Sequence, residues 1–107
     1  MERDKVSIII RTKNEESWIS LCLEKIFEQK YSNKEIIIVD NNSLDGTIQR
    51  AKQFNVKIIK LKKFFPGKAI NQGIKRSSGN IIVVLSAHCI PSDTNWLNNL
   101  IKDLKKP

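Results

Sequence analysis

Three polar clusters in this chain carry side chains suited to holding a ligand, and each directly follows an apolar run. Arg11-Thr12-Lys13-Asn14-Glu15 follows Val6 to Ile10, Asp40-Asn41-Asn42-Ser43 follows Ile36 to Val39, and Ser86-Ala87-His88-Cys89 follows Ile81 to Leu85. Asp40 is the leading candidate contact, because a carboxylate fixed at the end of a rigid strand accepts from a ribose hydroxyl or a base N–H. The competing role is helix capping or loop structure, and Asp45-Gly46-Thr47 just beyond is equally able to cap a helix. His88 is the one histidine. It either packs structurally or serves the ligand edge, where neutral imidazole binds a divalent metal and imidazolium pairs with a phosphate. Cys89 is a weak second soft ligand, since consecutive residues rarely both face one metal.

Several chemistries are excluded by pattern. No G-x-G-x-x-G follows the first apolar run, against a dinucleotide fold, and no G-x-x-x-x-G-K-[ST] is present, against a P-loop. A receiver-type domain wants an acidic pair where Arg11-Thr12-Lys13 stands. Cys22 and Cys89 have no metal-type spacing and make no disulfide framework, so both read as reduced thiols. Cys22 falls on an apolar helix face and is expected in the core. The net charge of +8 admits a solvated basic face, an anionic ligand or an anionic membrane surface. Nucleic acid is disfavoured, because basic residues with interleaved aromatics do not line one element. The longest apolar run, Ile81 to Leu85, is far too short to cross a bilayer, and the charged Met1 to Lys5 is not a secretory signal. The expected location is cytoplasmic, or the inner face of a membrane.

The elements that must position these clusters alternate along the chain. Val6 to Ile10 and Glu35 to Val39 read as buried strands. Val56 to Leu61 alternates less cleanly and reads as a strand nearer an edge, and Ile81 to Leu85 is the fourth strand. Between them, Glu15 to Gln29 carries two adjacent i, i+4 apolar columns, predicting a helix with one wet face. Leu44 to Phe54 is a second helix with Ile48 and Ala51 inward. A third runs from Ala69 to Ser77 with a small-residue face for close packing and Gly79 as its end, and Ser92 to Lys105 is the last. This β-α-β-α-β-α-β-α order predicts a single α/β domain: a Rossmann-like, mostly parallel sheet with helices on both faces. In such sheets ligands bind beyond the carboxyl ends of the strands, where all three clusters fall.

Taken in order, four segments resemble family 2 glycosyltransferases of the GT-A fold. They are Val6 to Glu15, Ile38 to Thr47, Gly67-Lys68-Ala69-Ile70-Asn71-Gln72-Gly73, and Ser78 to His88. Each is weak alone; four in order at family-like spacing are specific, and the resemblance covers Val6 to about Leu104. It implies a nucleotide-diphosphate-sugar donor bound by the amino-terminal half of such an enzyme. Thr12 and Glu15 match the loop that holds nucleobase and ribose, Asp40 the base contact, Ser43 a further donor-binding residue, and Lys68 and Asn71 the donor pocket lining. Ser86 stands at the ribose end of the usual Asp-x-Asp.

The chain departs from that pattern in three places. Ser86-Ala87-His88 replaces Asp-Ala-Asp, so His88 falls on the metal-binding position; either it holds a divalent metal, Mn²⁺ better than Mg²⁺, or it and nearby lysines neutralise the diphosphate directly. Lys13 stands where an aromatic or arginine is common and offers an aliphatic stem and a charge. No residue matches the family's general base, which is expected beyond Pro107, so residues 1–107 read as a donor-binding fragment inactive by itself. The resemblance implies transfer to a glycan or lipid-linked acceptor in cell-surface polysaccharide or glycan synthesis. The alternative is a non-catalytic module of the same fold that binds a partner or an anionic membrane. Peripheral membrane contact and self-association through uncovered apolar surface are further expectations.

Overall fold

The structure is a computed structural model that describes residues 4–62 and 66–104, with backbone only for 66–68. Its strands are β1 (Val6–Thr12), β2 (Lys34–Asp40), β3 (Lys57–Lys60) and β4 (Ile81–Ser86), all parallel in the order β3-β2-β1-β4. Its helices are α1 (Ile19–Phe27), α2 (Thr47–Ala51), α3 (Pro66–Arg76) and α4 (Trp96–Leu104). The expected α/β architecture is therefore observed, and strand order explains which face each crossover helix takes. Two crossovers step outward from β1 to β2 to β3, carrying α1 and α2 on one face. The next returns across the sheet to β4, and a right-handed connection then places α3 on the opposite face.

Alternating side chains split the core accordingly. Val6, Ile8, Ile10, Ile36 and Ile38 pack with Ile19, Cys22, Leu23 and Ile26 of α1, Ala51 of α2, and Leu97 and Ile101 of α4. On the other face Ile9, Ile37 and Val39 meet Ala69 of α3. The small-residue face of α3 has a direct cause at Gly73, where a Cβ would lie 2.6 Å from Ile9 Cγ2. β1 and β2 are central and buried as read, and β3 is an edge strand. β4 is the other edge: its uniform apolar run is half wet, with Ile82 and Val84 exposed on the α3 side.

Three helix starts come later than the sequence reading because polar groups intervene, and Gly79 takes a different role from the one expected. α1 begins at Ile19 rather than Glu15, since Glu15 N–H is taken by Thr47 Oγ1 at 2.8 Å while its carbonyl closes a turn with Trp18 and Ile19. α2 is five residues long: Leu44 N–H is drawn to Asn14 Oδ1 at 2.8 Å, and Asp45 Oδ1 accepts from Thr47 N–H at 3.0 Å, while Gly46 holds the N-cap position without a side-chain cap bond. α4 starts at Trp96, after Asp93 Oδ1 accepts from Asn95 N–H at 2.9 Å. Gly79 is not a left-handed helix end, because α3 stops at Arg76 and no described glycine has positive φ. Gly79 is needed for close approach to β1: a Cβ there would sit 2.5 Å from Ser7 Oγ and 2.7 Å from the Lys5 carbonyl oxygen.

The amino edge of the sheet is tied by Glu35. Its carboxylate accepts from Ser7 Oγ at 2.5 Å, Ser78 N–H at 2.6 Å and Lys57 Nζ at 3.0 Å, joining β1, β2, β3 and the α3–β4 loop. Burial by itself would push this carboxyl up. The hydrogen bonds from Ser7, Ser78 and Lys57 outweigh that and hold it down at about 2.

Candidate functional site

The carboxyl edge gathers the polar loops as expected, and side-chain bonds between neighbouring loops hold them. Asn14 N–H donates to Ser43 Oγ at 2.8 Å, and Lys13 Nζ to the Asn42 carbonyl at 3.1 Å. Asn14 and Asn42 both adopt positive φ, at 52° and 59°, a conformation asparagine tolerates better than most residues. The loops after β1 and β2 are thus one bonded unit.

At its centre Thr12, Asp40 and Ser43 meet. Register places Thr12 beside Asp40 on adjacent strands, and Thr12 Oγ1 donates to Asp40 Oδ1 at 2.6 Å. Ser43 Oγ donates to the same oxygen at 2.6 Å, and Ser43 N–H to Oδ2 at 2.8 Å. Asp40 has no exposed surface. Its first role is to clamp the loop that follows it, and Oδ2 retains unused acceptor capacity. Beside it lies a cavity of about 330 Å³ bordered by Asp40, Asn42, Ser43, Ile48, Lys60 and Lys62. Lys60 and Lys62 are site neighbours that sequence reading left in a general basic patch; the parallel register Asp40↔Lys60 brings them here.

Glu15 and His88 form a second group towards β4. His88 Nε2 lies 2.6 Å from Glu15 Oε2, and its ring is tilted against Trp18 at a centroid distance of 5.2 Å. Behind them Cys22 Sγ donates to the Cys89 carbonyl at 3.7 Å. Both cysteines are free, and Cys22 is core as expected. Burial, then the neighbouring Cys89 and Glu15, push the Cys22 thiol up to about 12, so it stays protonated at neutral pH.

Ser86 and Asn71 are exposed and are not bonded into either group. Lys68 lies on the first turn of α3, outside the residues whose side chains are described. Two buried polar atoms at this edge have no partner: Arg11 Nε and Asn41 Oδ1. Sequence reading placed both inside the ligand-edge clusters but gave neither a role of its own, since nothing along the chain shows which polar groups pack without a partner.

Among the described residues no three His, Cys, Asp or Glu side chains converge as a metal-holding group. Glu15 engages His88 Nε2, leaving Nδ1 for any other ligand. The described residues therefore form no cation cage of their own. No helix among the described residues is long and apolar enough to cross a membrane.

Against known families, the profile described as Glycosyl transferase family 2 matches residues 7–107. The chain belongs to glycosyl transferase family 2. A Methanococcus voltae relative, named dolichyl N-acetyl-alpha-D-glucosaminyl phosphate 3-beta-D-2,3-diacetamido-2,3-dideoxy-beta-D-glucuronosyltransferase, is 38% identical over 89% of this chain and 32% of its own length. Glycosyltransferase AglE of Haloferax volcanii is 37% identical over 86% of this chain and 33% of its own. The Escherichia coli enzyme WfgD, a UDP-Glc:alpha-D-GlcNAc-diphosphoundecaprenol beta-1,3-glucosyltransferase, is 32% identical over 91% of this chain and 38% of its own. Among solved structures, the Pyrobaculum calidifontis mannosyltransferase PcManGT, in complex with GDP-Man and Mn²⁺, superposes with a TM-score of 0.91 at 26% identity, over 98% of this chain and 33% of that one. The fold is that of the GT-A glycosyltransferases. This glycosyltransferase chain spans about a third of the length of the first two of these relatives.

Proposed function

We propose that this chain is the donor-binding part of a glycosyltransferase that takes a nucleotide-diphosphate sugar and transfers the sugar to a hydroxyl of a glycan or lipid-linked acceptor. The observation that carries the reading is the bonded pair of loops after β1 and β2, with Asp40 beside a cavity at the carboxyl edge of a family 2 sheet. Relatives that act on dolichyl and diphosphoundecaprenol substrates by name support the acceptor class.

In this reading the base lies in the cavity beside Asp40. Thr12 and Ser43 orient that carboxylate, and Oδ2 accepts a base N–H. Because Asp40 is covered, the loop from Asn41 to Leu44 must shift for the contact to form. Glu15 and Ser86 face the ribose and diphosphate, with Asn71 approaching from α3. A divalent metal, when bound, neutralises diphosphate charge, and His88 Nδ1 is the protein ligand offered to it. No residue of the chain is assigned as general base; the role read for these residues is donor binding, close to the cytoplasmic membrane face where lipid-linked acceptors are met.

Calorimetric titration with UDP, GDP and dTDP and their sugars, with and without Mn²⁺, tests this. Binding of at least one pair is expected, weakened by Asp40→Ala and by Ser43→Ala, with any Mn²⁺ response lost in His88→Ala. A folded sample that binds none of them contradicts the reading, and a Mn²⁺ response that survives His88→Ala removes that residue's assignment.

A further inference from the structure

We infer that Arg11 is the fixed cation that receives the diphosphate, on the α3 face of the sheet; this rests on the donor-binding reading and adds a residue to it. Strand alternation puts Arg11 on the side of Ile9, opposite Thr12, and register sets it beside Val39 of β2 and Ser86 of β4. Arg11 is half-buried, its Nε is fully covered, and it makes no ion pair or hydrogen bond with any described residue. A covered guanidinium nitrogen without an acceptor costs stability. Arg50 and Arg76, by contrast, are exposed, and Arg50 pairs with Glu16 at 3.8 Å.

Its surroundings suit an anion. Ser86, its register partner, offers an exposed hydroxyl. α3 begins at Pro66, six positions after β3 ends at the carboxyl edge, and runs back to β4, so its N-terminal, partially positive end lies on this same face and edge. The described carboxylates nearest along the chain point elsewhere: Asp40 is closed by Thr12 and Ser43 on the opposite face, and Glu15 is engaged by His88. A guanidinium stays charged at all working pH values and presents parallel N–H donors that match two phosphoryl oxygens. The chemistry that fits is an anion presenting two adjacent oxygens, which in the donor-binding reading is the diphosphate. Arg11 supplies a permanent positive charge from the protein itself, on the face where Ser86 offers only a neutral hydroxyl.

Inorganic pyrophosphate, UDP and uridine are titrated into the wild type, Arg11→Met and Arg11→Lys without added metal. The expected result is pyrophosphate and UDP binding weakened about 10- to 100-fold in Arg11→Met and partly kept in Arg11→Lys, with uridine unchanged. The unliganded Arg11→Met protein should melt no lower than wild type, since an unpaired polar nitrogen has been removed. Pyrophosphate binding that is equal in wild type and Arg11→Met, or absent in the wild type while UDP binds, overturns the assignment. Pyrophosphate binding that depends on Arg11 while no nucleotide binds would instead keep the anion site and remove the nucleotide-sugar reading. A much lower melting temperature for Arg11→Met also overturns it, by showing that Arg11 already has a structural partner.

Discussion

Replacing Asp40 by alanine separates a structural from a ligand-facing carboxylate. The side chain is fully buried and accepts from Thr12 Oγ1, Ser43 Oγ and Ser43 N–H. Hydrogen bonds to a charged acceptor contribute about 1.5–3 kcal/mol each, and the three share one carboxylate, so their sum is less than additive; Asp40→Ala should cost about 3–5 kcal/mol. Thr12→Val keeps the shape, removes one donor and should cost about 1.5–3 kcal/mol. In a domain whose total stability is about 5–15 kcal/mol, losses of that size are easily measured. Urea unfolding followed by tryptophan fluorescence would give both values, and the double variant their coupling. If Asp40→Ala costs less than about 1 kcal/mol and shows no coupling to Thr12→Val, the clamp described here is wrong. A cost in the expected range means that lost donor binding in Asp40→Ala must be read alongside lost loop order. Ser43→Ala is then the cleaner probe, because it keeps one backbone donor to the carboxylate.

Two further predictions concern the scaffold. Glu35 has its folded pKa held down at about 2 from 4.5, so its contribution is complete above about pH 5 and is lost as pH falls towards 2. That drop corresponds to about 3 kcal/mol, and melting temperature against pH should fall more steeply over this window in the wild type than in Glu35→Gln. Asp45 still contributes in that variant: desolvation pushes its carboxyl up, but hydrogen bonds from Thr47 and Glu16 outweigh that and hold it down. Gly73→Ala should cost about 1–3 kcal/mol through the Ile9 contact, whereas Ile74→Ala next to it, at an exposed position, should stay within about 0.5 kcal/mol in the same urea assay.

Much of this was legible because it is written in local pattern. Continuous β-branched runs at Ile8 to Ile10 and Ile36 to Val39 mark strands buried on both faces. Polar clusters directly after them mark the ligand edge. Helix starts were misjudged by three to four residues, since Glu15, Leu44 and Asp93 spend backbone or side-chain groups on partners that include Thr47 and Asn14, about 30 positions away. Propensity is computed along the chain and does not see such bonds.

Asp40 shows where the sequence stops. Residue type and position were enough to place a carboxylate at the end of a buried strand, on the edge where ligands bind. Register and loop closure decided that Thr12 and Ser43 occupy it first. The same register put Lys60 beside it, and strand alternation turned Arg11 onto the α3 face without a partner. Periodicity sets what each segment buries, because that depends on near neighbours. Which polar groups end up satisfied, and which are left for a ligand, depends on groups brought together from distant segments, and only the packed sheet determines that.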